Sequence, residues 1–232
     1  MTKNSYWNYH IRQYNEQYRS TVSLIDFLKK QIPKGNFSAL DIGCGGGADI
    51  HWLKKSFQEG KFMGIDIDNE AINLAREMNK DIRFEELNFL DIEKSFSPES
   101  FDYVFAVQFI SFVDFDFPIF LEKAFYLAKK GIFISALFSE GWIEQHTIAN
   151  DLEENWKGLY KIYSLERFKK TAKKMANKNI EIEYERFKID ISLPKPSKPK
   201  FGTYTINTET DEKLQVSGYM LMPWYNLFIK FK

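Results

Sequence analysis

The stretch that decides the fold is LDIGCGGGAD, Leu40 to Asp49. It starts at the end of an apolar run, Phe37–Ile42, and runs into a segment of helical period, so it marks a strand-to-helix turn. Gly43, Gly45 and Gly47 lack a Cβ, which lets the turn adopt left-handed backbone and lets a ligand come close to it. A glycine turn at the carboxyl end of a strand is where open α/β sheets hold nucleotide-like ligands. The next apolar run ends in Asp66, in the sequence MGIDID, roughly twenty residues on, where a carboxylate can accept ribose hydroxyls.

Outward from this turn, strand-length apolar runs alternate with helical segments. Strands are expected at Phe37–Ile42, 61–65, 82–86, Phe101–Val107 and 131–137, with helices at 48–57, Asn69–Met78 and 118–128. Asp68 is placed to cap a helix, and Pro118 suits a first helical turn. Before the core, 20–32 carries Leu24, Ile25, Leu28 and Ile32 at helical spacing. Further upstream, Tyr6, Trp7, Tyr9, Tyr14 and Tyr18 are crowded together. After the fifth strand, 138–163 lacks a clear period and contains Trp142, His146 and Trp156, so it reads as an irregular lid. The helix 164–177 follows, with Lys169, Lys170, Lys173 and Lys174 mostly off its apolar stripe, a solvated face. A long strand 180–193 is broken by Pro194, Pro196 and Pro199. The tail offers a hairpin, 203–206 with 214–219, and a last strand, Trp224–Phe231.

Composition narrows the function. Lys plus Arg and Asp plus Glu are equal at 32 each, so no net field draws the protein to nucleic acid or to an anionic membrane. No run reaches the length of a membrane helix, and the N-terminal residues lack a signal peptide's apolar middle, so the expectation is a cytoplasmic protein. One cysteine, Cys44, and three histidines make a disulfide or a structural zinc site unexpected.

The glycine turn and Asp66 alone also fit an NAD-binding loop, since Gly43, Gly45 and Ala48 satisfy that fingerprint. Asp41 separates the two readings. It is an acid in the last turn of an apolar strand, where pyrophosphate would meet repulsion and a cationic, phosphate-free nucleoside would find a partner.

LDIGCGGG and GIDID resemble the first two motifs of the class I S-adenosylmethionine-dependent methyltransferases. ELNFLD resembles that family's adenine-edge segment, with Asn88 and Phe89 at the positions of an acid and an apolar residue, and Asp91 as substitute acid. FDYVFAVQFISFV resembles the fourth-strand segment and KKGIFIS the turn into the fifth. The similarity covers about 37–137. It implies a doubly wound, mostly parallel seven-stranded Rossmann-like sheet with an antiparallel last strand, N-terminal helices and a lid insertion after strand five.

The expected layout is one domain over 1–232: a helical cap to residue 35, a cofactor-binding core over 36–138, a lid over 139–163, and a last helix and strands over 164–232. The resemblance implies S-adenosyl-L-methionine as cofactor, held by Asp41, Gly43, Cys44, Gly45, Gly47, Asp66, Ile67, Asn88, Phe89 and Gln108. Tyr14 is added for cation–π contact with the sulfonium. Glu140 and His146 in the lid are the candidates to take a proton from the acceptor. The expected partner is a small-molecule acceptor, with no nucleic acid, membrane or metal. An NAD-dependent oxidoreductase and a non-catalytic binding module are the alternatives.

Overall fold

The computed structural model describes residues 3–152, 155–196 and 202–232. The side chains of Tyr6, Trp7 and Trp156, and all of Pro199, lie outside the described residues. Two helices, α1 (Lys3–Asn15) and α2 (Arg19–Gln31), lead into β1 (Phe37–Ile42), α3 (Ala48–Ser56), β2 (Gly60–Asp66), α4 (Asn69–Met78) and β3 (Arg83–Glu86). A short 3-10 helix, Phe89–Lys94, precedes β4 (Phe101–Val107), α5 (Phe117–Leu127) and β5 (Ala128–Ser139). Then come β6 (Gln145–Asp151), β7 (Trp156–Ser164), α6 (Leu165–Met175), β8 (Ile180–Arg186), β9 (Thr203–Asn207), β10 (Lys213–Ser217), β11 (Met220–Leu221) and β12 (Trp224–Phe231).

Seven of these strands lie in the order β3-β2-β1-β4-β5-β12-β8. β1 to β5 pair in parallel, and β12 runs antiparallel to both of its neighbours. This is the expected doubly wound, mostly parallel sheet with a reversed last strand.

Period-two alternation divides the core. On one face Val104 and Ala106 of β4, Ile132 and Ile134 of β5, and Leu227 and Ile229 of β12 pack with α5 and α6. On the other face Tyr103, Phe105, Phe133 and Phe228 pack with Leu24 and Leu28 of α2, Ile50 of α3 and Ile72 of α4. With both faces covered, the central strands read as continuous apolar runs.

The caps follow local chemistry. Asp68 accepts the amides of Glu70 and Ala71 at 2.9 and 3.2 Å, Asp116 accepts that of Phe117, and Ser164 that of Arg167. Lys170, Lys173 and Lys174 are exposed on α6, and Lys169 pairs with Glu166.

Three expectations are corrected. The lid is not irregular. β6 and β7 form an antiparallel hairpin in continuous register, Gln145↔Ile162 to Asp151↔Trp156, and β7 also joins β5 at Phe138↔Tyr163 and Ser139↔Ser164. The strand expected over 180–193 ends at Arg186. It is an edge strand, and Glu181, Glu183 and Glu185 on it discourage further pairing. Beyond it, the Leu193 carbonyl accepts the Thr205 amide and the Leu193 amide donates to Thr205 Oγ1. The tail hairpin acquires a third strand, β11.

Candidate functional site

The carboxyl ends of β1, β2 and β4 form one rim of the sheet, and the glycine turn rises from its centre. Gly43, Gly45 and Gly47 have φ of 71°, 50° and 79°, all in the left-handed region that glycine enters without a Cβ clash. The turn is tied to β2, because the amides of Gly43 and Cys44 both donate to the carbonyl of Ile65, at 2.9 and 3.0 Å.

Asp66 orders the turn as well. Its Oδ2 accepts the Gly45 amide at 2.8 Å and its Oδ1 accepts the Asp68 amide at 2.9 Å. Ile67, between these two acids, is 70 % exposed, an apolar surface at the rim.

Asp41 lies under the turn at 2 % exposure, and its Oδ1 has no hydrogen-bond partner among the described residues. Burial, then the charges of Asp49 and Asp66, raise its pKa well above the ordinary carboxylate range, against a bond from the Val107 backbone. Asp49, in the first turn of α3, is also raised by burial, and Thr21 donates to its Oδ1 at 2.8 Å. Cys44 has its thiol pushed up by burial and then by Asp41 and Asp66, so it stays protonated and unreactive. Its sulfur packs over Gly64, where any Cβ would stand only 2.7 Å away.

The end of β4 supplies the next wall. Gln108 adopts φ of 54°, unusual for a side-chain-bearing residue, and its amide donates to the Ser135 carbonyl at 2.8 Å. Phe109 then lies directly on Gly43. A Cβ built there would sit 2.3 Å from Phe109 Cδ2, so glycine is needed for space as well as for conformation. Phe89 is buried and packs around Phe109, Phe115 and Phe120. Asn88 caps the 3-10 helix, its Oδ1 accepting the Leu90 amide at 2.9 Å. Asp91 pairs with Lys94 at 2.5 Å.

α1 closes the site from above. The Tyr14 hydroxyl donates to the Gly46 carbonyl and accepts from Asn79 Nδ2 at 2.8 Å, and its ring meets His51 edge-on. These contacts make Tyr14 a tether of the helix to the turn. Trp52 Nε1 adds a bond to the Gln13 carbonyl at 2.9 Å.

Two residues of this site escaped the sequence reading. His10, one helical turn before Tyr14, packs against Gly46 and Gly45, with burial holding its pKa below the ordinary histidine value. Asp49 is a second, half-buried acid. The four-residue spacing from Tyr14 and the acid at the end of GGGAD were the available signals.

The structure thus brings together Asp41, Gly43, Cys44, Gly45, Gly47, Asp66, Gln108 and Tyr14, with Ile67 on the same rim. Glu140 and His146 stand apart. Glu140 Oε1 accepts from the Tyr225 hydroxyl at 2.7 Å, and exposed His146 sets its ring edge-on to Tyr163. Among the described residues no contact joins either to the glycine turn. No group of metal-binding side chains and no helix long and apolar enough to cross a membrane occurs among the described residues.

Comparison with known proteins adds independent findings. A family model described as a methyltransferase domain matches residues 33–182. A solved structure from Thermotoga maritima, described as an S-adenosylmethionine-dependent methyltransferase and possible histamine N-methyltransferase, superposes with a TM-score of 0.58 at 16% identity, covering 98% of this chain and 97% of that one. A putative S-adenosylmethionine-dependent methyltransferase from Listeria monocytogenes gives 0.62 at 14%, covering 91% and 98%. A putative methyltransferase from Haloferax volcanii, solved with the Trm112 activator, gives 0.64 at 14%, covering 100% and 97%. At such identities these structures speak for the fold. No curated protein matches the chain.

Proposed function

Because the chain belongs to the methyltransferase-domain family and is an S-adenosylmethionine-dependent enzyme of the class I type, we propose that it methylates an oxygen or nitrogen of a small organic acceptor. The observation that carries the cofactor side is Asp41, a buried carboxylate with one unpartnered oxygen under a glycine turn. No lysine or arginine lies in that turn. Such an acid suits an ammonium and a sulfonium, whose positive charge favours its ionised form, whereas a pyrophosphate would disfavour that form and gain no ion pair.

In this reading Asp41 and Asp49 supply the negative field for the methionine end. Gly43, Cys44, Gly45 and Gly47 present backbone. Asp66 takes the ribose, Ile67, Asn88 and Phe89 border the adenine, and Gln108 stands beside the transferred group. The bound cofactor supplies an electrophilic methyl on a good leaving thioether. The protein's part is to hold the acceptor in line and keep water out, which is worth roughly 7–11 kcal/mol in favourable cases.

Asp41 makes cofactor binding depend on pH. Its raised pKa keeps the carboxyl protonated in the free protein where an ordinary aspartate is ionised. A cationic partner favours the ionised form and lowers the pKa in the complex, so binding expels a proton, and affinity rises with pH between that lowered value and the raised one of the free protein. For the stability of the free protein the sign is opposite: this group's contribution is full below the ordinary aspartate value and declines as pH climbs from there to the raised one. Calorimetry in two buffers of different ionisation enthalpy should register the released proton, and Asp41→Asn should abolish it. Affinity independent of pH in the native protein counts against the assignment.

An oxygen acceptor also has to lose a proton, and the lid offers His146 and Glu140 for that task. His146→Ala is expected to lower turnover and leave cofactor affinity unchanged. Full activity of this variant across the pH range removes it as the base. The small acceptor is favoured by the balanced charge, since no net positive field draws the chain to nucleic acid.

A further inference from the structure

Between the hairpin and the small C-terminal sheet lies a cavity of about 190 Å³. One wall is made by two cross-strand pairs, Gln145 with Ile162 and Thr147 with Tyr160. They share a face because strand residues two apart point the same way. Met220 and Met222 form the facing wall, and Leu137, fully buried at the end of β5, also lines the space.

The cavity is built onto the cofactor side of the sheet. Lys161, between the two lining residues of β7, donates its amide to the Ser111 carbonyl at 2.8 Å, and Ser111 Oγ accepts the Leu137 amide at 2.9 Å. Ser111 and Phe112 belong to the same turn as Gln108 and Phe109. Phe109 rests on Gly43, and Phe112 meets Tyr160 edge-on with ring centroids 5.3 Å apart.

The lining has no lysine, arginine, aspartate, glutamate or histidine among the described residues. Burial pushes Tyr160 up to about 12, so it is neutral at ordinary pH. The mouth is open, with Gln145, Tyr219 and Leu221 exposed, but at the floor, against buried Leu137, Tyr160 and Met222, a charged group gives up hydration with no counter-ion to replace it. Size points the same way, since an apolar cavity of about 150 Å³ takes a benzene ring. Methionine sulfurs make favourable contacts at ring edges.

We infer that this cavity seats the methyl acceptor and selects an uncharged compound carrying a single aromatic ring, with Gln145 and Thr147 offering hydrogen bonds. The inference rests on the methyltransferase reading above and not on His146 as the base, because His146 lies between Gln145 and Thr147 on β6 and so faces away from this cavity. Loss of turnover in His146→Ala with cofactor affinity kept would speak for an acceptor seated elsewhere. Its test is binding of three probes of matched ring size, phenol, benzoate and benzylammonium, to the full chain labelled with 13C in the methionine methyls. Met220→Leu and Met222→Leu identify the two signals. Phenol should shift both saturably, and each charged probe should bind roughly tenfold more weakly or worse, given the cost of an unpaired buried charge. Thr147→Trp, which fills the space, should erase the response.

Phenol that leaves both methyls unmoved up to its solubility limit, or a charged probe that binds as tightly, overturns the inference. Calorimetry with S-adenosylhomocysteine runs in parallel. If that compound binds while the methionines stay silent, only the cavity assignment fails. If it does not bind, the methyltransferase reading fails with it.

Discussion

Phe133→Ala is expected to lower the free energy of unfolding by about 3–5 kcal/mol, the usual range for removing a buried ring. Phe133 is fully buried at the centre of β5, its ring 5.8 Å from that of Phe105 and 6.0 Å from that of Phe27. It joins the sheet to α2, so its loss opens a void that neighbours on a seven-stranded scaffold fill only in part. A domain of this kind commonly has roughly 5–15 kcal/mol in all, so the variant should be near its folding threshold. Phe133→Leu, which keeps most of the volume, should cost much less. Urea unfolding of the three proteins measures this, and a loss under about 1 kcal/mol for the alanine variant would show that the site collapses freely.

For Asp66→Ala the expected result is a 10- to 100-fold loss of S-adenosylmethionine affinity, from charge-assisted hydrogen bonds worth about 1.5–3 kcal/mol. The side chain has two tasks in our reading, since it accepts the Gly45 and Asp68 amides and faces the ribose. Asp66→Asn distinguishes them, because the amide oxygen still accepts one backbone bond while the charge is gone. If affinity loss follows charge, the asparagine variant resembles alanine. If it follows loop order, asparagine retains most of the binding. Titration calorimetry on both variants decides, and unchanged affinity in both removes Asp66 from the site.

The sequence made the sheet legible because its strands are buried on both faces. Apolar runs such as Phe101–Val107 have one interpretation when glycine turns and helical segments flank them, and that strand has the expected bounds. The hairpin escaped because Gln145–Asp151 is mostly polar and its burial alternates only between half-buried and exposed. Its strands exist through pairing with each other and with β5, which no local pattern reports. The strand expected over 180–193 ran too long for a similar reason. Ile189 is buried by the tail sheet and not by strand pairing, yet it reads apolar in either case.

Within the site, glycines and acids were legible because special backbone and buried charge restrict residue type sharply. The sequence offers Tyr14 as a ring, and the fold adds what its hydroxyl does, in bonds to Gly46 and Asn79. Which atom of an amphipathic residue matters depends on partners dozens of positions away. His10 and Asp49 escaped because a single histidine or acid in a helix is ordinary until tertiary packing surrounds it.

The hairpin is anchored by main-chain bonds at its root, to Phe138 and Ser139, and along its length, at Ser111. To swing outward it would have to break into the sheet itself, so it serves as a fixed bulkhead and not as a door. Traffic through the space behind it falls to the far side, where Gly218 turns the chain at φ of 61° and Tyr219 stands 89% exposed beside the methionines.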